Sequence, residues 1–132
     1  MSDQPDRTSL FFGHQYINLE TYRRNGQAVR TPVWFTIHDS KILIVTRDIT
    51  GKVKRIRNNS QVRIVPSGLR GQPKGEWVNG KAAFANAVEL EHALKQRSEK
   101  YGFKARLSGL FSRTKGKLIG IVVAFDTSEN ER

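Results

Sequence analysis

RTPVWFTIHDSKILIVTRDITGKVKRIRNN, Arg30 to Asn59, reads as strand, turn, strand, phosphate-binding loop and short basic helix. Thr31, Val33, Phe35 and Ile37 alternate with Arg30, Pro32, Trp34, Thr36 and His38, the period-two pattern of a half-buried strand. His38 to Lys41 supplies a turn, and the apolar run from Ile42 carries the next strand to Thr46. Thr46, Arg47, Thr50, Gly51 and Lys52 then gather hydroxyls, free backbone N–H groups and cations in one short loop, a donor set that suits a phosphate. Thr50 is placed to cap a helix from Gly51 to Asn58. In it Val53 and Ile56 face inward, while Lys54, Arg55 and Arg57 face water and Lys52 faces the phosphate.

The same reading extends in both directions. Tyr16 to Tyr22 alternates as a strand, and Asn25-Gly26 makes a tight hairpin turn into the strand that begins near Val29. Downstream, Val62 to Val65 is a strand closed by Pro66, Ser67 and Gly68, and a Gly/Pro/Arg-rich loop follows. Glu76 to Ala85 reads as a strand with Val78, Ala82 and Phe84 on one face and a bulge or bend at Gly80. Leu90, Ala93, Leu94, Arg97 and Tyr101 recur at helical spacing over Val88 to Tyr101, with Gly102 as the stop. A shorter helix over Phe103 to Phe111 and a buried last strand, Leu118 to Phe125, complete the chain. Six short strands with strong turns and a few helices predict a mainly β fold, a small barrel with peripheral helices. Residues 14–126 form its single domain, between flexible ends at 1–13 and 127–132.

At 132 residues the chain has room for one core. With no cysteine, disulfides, thiolate metal sites and cysteine nucleophiles are excluded. The net charge of +11 is concentrated: eight cations against Asp48 alone between Arg47 and Lys74, and eight against Glu99 alone between Lys95 and Lys117. Two basic patches point to an anionic partner, a phosphorylated or polycarboxylate cofactor, a nucleic acid or an anionic membrane, with solvated surface charge as the plain alternative. No apolar run is long enough to span a bilayer and the N-terminus has no signal-like pattern, so a cytoplasmic protein without a membrane partner is expected. His14, His38 and His92 show no ligand spacing, and no metal is expected. No G-x-S-x-G elbow occurs and no histidine-acid pair can be assigned to a serine, so hard chemistry here would belong to a cofactor.

Arg30, Thr46 sixteen positions on, Thr50-Gly51-Lys52 and a helix ending in Asn58-Asn59 before the strand at Val62 together resemble the FMN-binding split β-barrel family that includes pyridoxamine 5′-phosphate oxidase. The resemblance covers about Tyr16 to Phe125. The stretches YINLETYRRNG, TPVWF, GKVKRIRNN and GEWVNGKA are most similar to its branch of small proteins that use the deazaflavin coenzyme F420. What this implies is a six-stranded split β-barrel, a homodimer with F420 or FMN in a groove between subunits, and hydride transfer to a small unsaturated acceptor. Carried over by position, Arg30 and Lys52 would bind phosphate, Thr46 and Thr50 would donate to it, and Thr31, Pro32, Val33 and Val45 would line the ring. Arg47, Gly51 and Arg57 would be neighbours of the cofactor. The basic patches would suit the polyglutamate tail that F420 carries and FMN lacks. The chain ends AFDTSENER, without the arginine and histidine pattern that holds pyridoxamine phosphate, so oxidation of that substrate is rejected.

Trp34 and Trp77 are candidate ring or substrate contacts, with ordinary core packing as the alternative. Two other functions are open: a binding module of the same fold that holds FMN, F420 or a haem-type ligand without turnover, and a small barrel that binds nucleic acid.

Overall fold

The computed structural model describes residues 7–102 and 116–126. Nine elements follow a short 3-10 turn at Arg7–Phe11: β1 (Tyr16–Tyr22), β2 (Ala28–Val33), β3 (Thr36–His38), β4 (Lys41–Arg47), α1 (Gly51–Asn58), β5 (Gln61–Ser67), β6 (Val78–Phe84), α2 (Ala87–Tyr101) and β7 (Leu118–Phe125). The strands form one antiparallel sheet in the order β2-β1-β5-β6-β7-β4-β3.

That order explains the curvature. The two edge strands, β2 and β3, are consecutive in the chain and separated only by Trp34 and Phe35. A sheet whose opposite edges are joined by so short a link must curl until those edges approach each other. The continuous strand expected from Arg30 to His38 is therefore two strands, and the sheet has seven in place of six. Val33 ends its ladder opposite Ile17 of β1, while Thr36 begins a new one opposite Leu43 of β4.

Alternation decides what lies inside the curl. Ile17 and Leu19 of β1, Ile42 and Ile44 of β4, Val62 and Ile64 of β5, and Ile121 and Val123 of β7 are all essentially inaccessible and form the main core. Phe35 joins it, and Val33 and Ile37 pack on it, so the face read from the sequence for this stretch holds. Outside the curl, Leu43 and Val122 meet Ala93 of α2, with Val45 and Ala85 beside them, which fixes α2 to the convex side. Val53 and Ile56 turn one side of α1 inward, with Ile56 in the main core.

Local chemistry sets the connections. Gly26 sits at φ +90°, and Asp39 and Ser40 at φ 56° and 62°, the positive values a primed hairpin turn requires. Asn86 caps α2: its side chain accepts from Glu89 N while the Glu89 carboxylate accepts from Asn86 N. Pro66 and Ser67 do not close β5 as expected but lie within it, Pro66 opposite Ile17 with its carbonyl accepting from Lys74 N at 2.7 Å. Gly80 keeps register without a bulge, and a Cβ there would stand 2.8 Å from Ala124 O. Phe84, expected on the core face, is exposed. The helix expected at Phe103 to Phe111 lies outside the described residues.

Candidate functional site

The loop between β4 and α1 assembles as its composition suggests. Lys52 Nζ donates to Thr46 Oγ1 at 3.3 Å, and Thr46 Oγ1 lies 3.5 Å from Thr50 Oγ1. Thr50 occupies the N-cap position but does not cap with its side chain; its hydroxyl donates instead to Arg47 O at 3.0 Å. The first backbone N–H groups of α1 thus lack a side-chain acceptor, and they point where an anion is favoured by the helix dipole. Burial lowers the pKa of Lys52, and the neighbouring Arg55 guanidinium lowers it further.

Arg55, expected to face solvent, belongs to this group. Its Nε donates to Thr21 Oγ1 of β1 at 2.7 Å, and its guanidinium crosses Gly51 so closely that a Cβ there would meet Nη1 at 2.7 Å. Gly51 is thus the space that lets a second cation reach the start of α1. Among the described residues no carboxylate pairs with Lys52, Arg55, Arg47 or Arg97. Two like charges beside two hydroxyls and a helix N-terminus form a donor set of the kind that suits a phosphate.

Arg30 is not brought into that group. It projects from the opposite face of the sheet, where its Nε donates to Glu20 Oε2 at 2.7 Å. Arg63, directly across from Glu20 on β5, donates to both carboxylate oxygens at 2.6 and 3.1 Å, and Tyr22 OH adds a third donor at 2.6 Å. The Arg63 hydrogen bond, with smaller contributions from Tyr22 and Arg30, outweighs burial and holds the Glu20 carboxyl down to about 2. Both guanidinium groups also lie against Trp77, at 4.8 and 4.9 Å from a ring centroid. Arg30 and Trp77 are therefore parts of one tie between β1, β2 and β5.

The remaining candidates separate by face. Thr31 and Val33 are half-buried and face the core side, while Pro32 is exposed on the Arg30 side. Trp34 stacks on Tyr101 of α2, with centroids 4.2 Å apart, and shares a narrow crevice with Val45, Ala93 and Arg97. Arg97 is half-buried, and its pKa is lowered first by desolvation and then by Arg47. Arg47 itself donates to Gly116 O at 3.1 Å. Arg57 lies over exposed Phe84, its guanidinium carbon 5.7 Å from the ring centroid. Lys52, Thr46, Thr50 and Gly51 thus come together, Arg47 and Val45 adjoin them along β4, and Arg30, Arg57 and Trp77 are engaged elsewhere.

Sequence reading missed Arg55 and Glu20. Glu20 alternates outward on β1 and reads as a solvated acid; only the register that sets Arg30 and Arg63 on either side of it shows otherwise. It also missed that His38 and His92, 54 positions apart in the chain, meet with ring centroids 3.8 Å apart.

No protein-family model and no curated sequence matches the chain. Solved structures do match in fold. The heme storage protein from Vibrio cholerae superposes with a TM-score of 0.69 at 14% identity, covering 96% of this chain and 92% of that one. A provisional pyridoxamine 5′-phosphate oxidase from Listeria innocua gives 0.65 at 12% identity, covering 91% and 90%. An F420 reductase gives 0.58 at 15% identity, covering 90% and 92%. The architecture is the split β-barrel of the pyridoxamine 5′-phosphate oxidase-like proteins.

Proposed function

We propose that this protein is a cofactor-dependent oxidoreductase that binds coenzyme F420, or else FMN, through a phosphate held by Lys52, Arg55, Thr46 and Thr50. The observation that carries the reading is a half-buried pair of cations with no carboxylate partner among the described residues, set beside two hydroxyls at an uncapped helix start. Lys52 and Arg55 would neutralise the phosphate, the threonine hydroxyls would orient it, and Gly51 would keep side-chain bulk out of its path. Bound there, either cofactor would supply the hydride chemistry, and the residues around it would bind and orient it.

The fold relationship to an F420 reductase and to a provisional pyridoxamine 5′-phosphate oxidase supports this class of ligand. Arg47 and Arg97, close together and without a carboxylate among the described residues, favour a ligand with more than one anionic group, and so F420 over FMN. A homodimer, with Thr31 to Val33 against the ring and a second copy closing the groove over a small unsaturated acceptor, completes the reading.

Titration of the full chain with F420 and with FMN, followed by absorbance and fluorescence, tests it. A charge-assisted hydrogen bond contributes roughly 1.5–3 kcal/mol, so Lys52→Ala should weaken binding about 10- to 100-fold. Binding of neither cofactor at roughly 50 μM, or equal binding by wild type and Lys52→Ala, would refute the reading. Tight binding without oxidation of reduced F420 by any acceptor would leave a carrier of the same ligand.

A further inference from the structure

We propose that the crevice between the first turn of α2 and strands β4, β6 and β7 is a second binding site, which takes a small monocarboxylate with an apolar body. The space is about 360 Å³, within the range of small-molecule pockets. Ala83, Phe84, Val122 and Ala124 give it an apolar lining. Its charged lining is two lysines, Lys41 and Lys81, and one acid, Glu89.

The register sets the two lysines on either side of a gap. Ile42, Ala82 and Val123 point into the main core, so their chain neighbours Lys41, Lys81 and Ala124 stand on the convex face, the one that carries α2. Ile42 pairs with Val123 and Lys81 with Ala124, which brings Lys41, Ala124 and Lys81 to one level on three adjacent strands. The lysine backbones are thus two strand spacings apart, roughly 10 Å, with only a methyl group between them. An ammonium on a four-carbon stem reaches across such a gap from either side. Lys41 is half-buried and Lys81 exposed, and among the described residues neither has a carboxylate partner.

Glu89 selects among anions. The capping box holds it at the start of α2, where its Oε1 accepts from Asn86 N at 2.9 Å. Two lysines against one glutamate leave a single positive charge, which complements a monocarboxylate and disfavours a phosphate dianion. The apolar lining takes up the body of the guest, which a bare inorganic anion lacks. The site is distinct from the phosphate loop, since Thr46 lies five residues beyond Lys41 on β4, roughly 17 Å away. It stands whether or not a cofactor binds.

The test is a proton–nitrogen NMR titration of the full chain, without cofactor, using 4-methylpentanoate and the uncharged 4-methylpentanamide as matched probes. With the carboxylate, saturable shifts should centre on the backbone N–H signals of Ala83, Val122 and Ala124, and the uncharged probe should bind about 3- to 10-fold more weakly. Lys41→Gln and Lys81→Gln should each narrow that difference. Glu89→Gln, which keeps a capping-box side chain, should widen it, and Lys54→Gln on the exposed side of α1 should leave it unchanged. Equal binding of the two probes, an effect of Lys54→Gln as large as that of Lys41→Gln, or inorganic phosphate binding at these residues as tightly as the carboxylate would overturn the proposal. Shifts absent or scattered over the surface would do the same.

Discussion

Replacing Glu20 by Gln removes one charge and almost no volume, at a position 1% exposed and held by Arg30, Arg63 and Tyr22. The carboxyl sits at about 2 against an ordinary 4.5. At 1.36 kcal/mol for each tenfold change in proton affinity, the ionised form is stabilised by about 3 kcal/mol on folding. Because the folded value is depressed, this contribution is complete above 4.5 and fades as pH falls from there toward 2. Glu20→Gln should therefore lower the unfolding free energy by about 3 kcal/mol near pH 7, within the range found when a buried ion pair loses one partner. Urea denaturation of both proteins at neutral pH and near pH 2 measures the effect. The gap should close at the acid end, where Glu20 is half protonated or more. A gap below about 1 kcal/mol at neutral pH, or an equal gap at both pH values, would refute the account of the cluster.

Two further substitutions probe how the frame is held. The Tyr101 hydroxyl donates to Gln15 O at 2.7 Å, is within reach of Phe35 O at 3.1 Å, and accepts from Phe35 N at 3.1 Å. Tyr101→Phe should cost about 1–3 kcal/mol, seen as a lower thermal midpoint with unchanged far-ultraviolet dichroism. Gly80→Ala brings a methyl to within 2.8 Å of Ala124 O and 2.9 Å of Val123 Cγ1. Denaturant unfolding should show a loss of about 1–3 kcal/mol, and a neutral result would mean that β6 and β7 can separate freely.

What could be read without coordinates was local. Thr46, Thr50 and Lys52 lie within seven residues, so their composition alone shows the donor set, and their side chains come together even though Thr50 does not cap α1 as expected. The strands at β1 and β7 and the amphipathic α2 were equally legible, since each carries its own period. The break after Val33 was not. Val33, Phe35 and Ile37 keep pointing at one core across it, so the alternation is undisturbed while the pairing partner changes from β1 to β4. The Glu20 cluster and the crevice between Lys41 and Lys81 join residues from three or more separate segments, and only the register brings them together. Arg30 shows the limit of position-by-position transfer: its place in the chain suited a phosphate, but a buried acid directly opposite claims its Nε.

The arrangement of β2 and β3 at the two rims of the sheet also bears on how this protein keeps company with itself. An unpaired strand edge is an open template on which another chain can add and begin an aggregate. Here one rim is only three residues long and the other carries Pro32, which offers no N–H, beside charged Arg30. Neither rim gives an incoming strand a continuous row of donors. Growth by strand addition is blunted at both ends, so a second copy would have to dock through side chains on a face of the barrel.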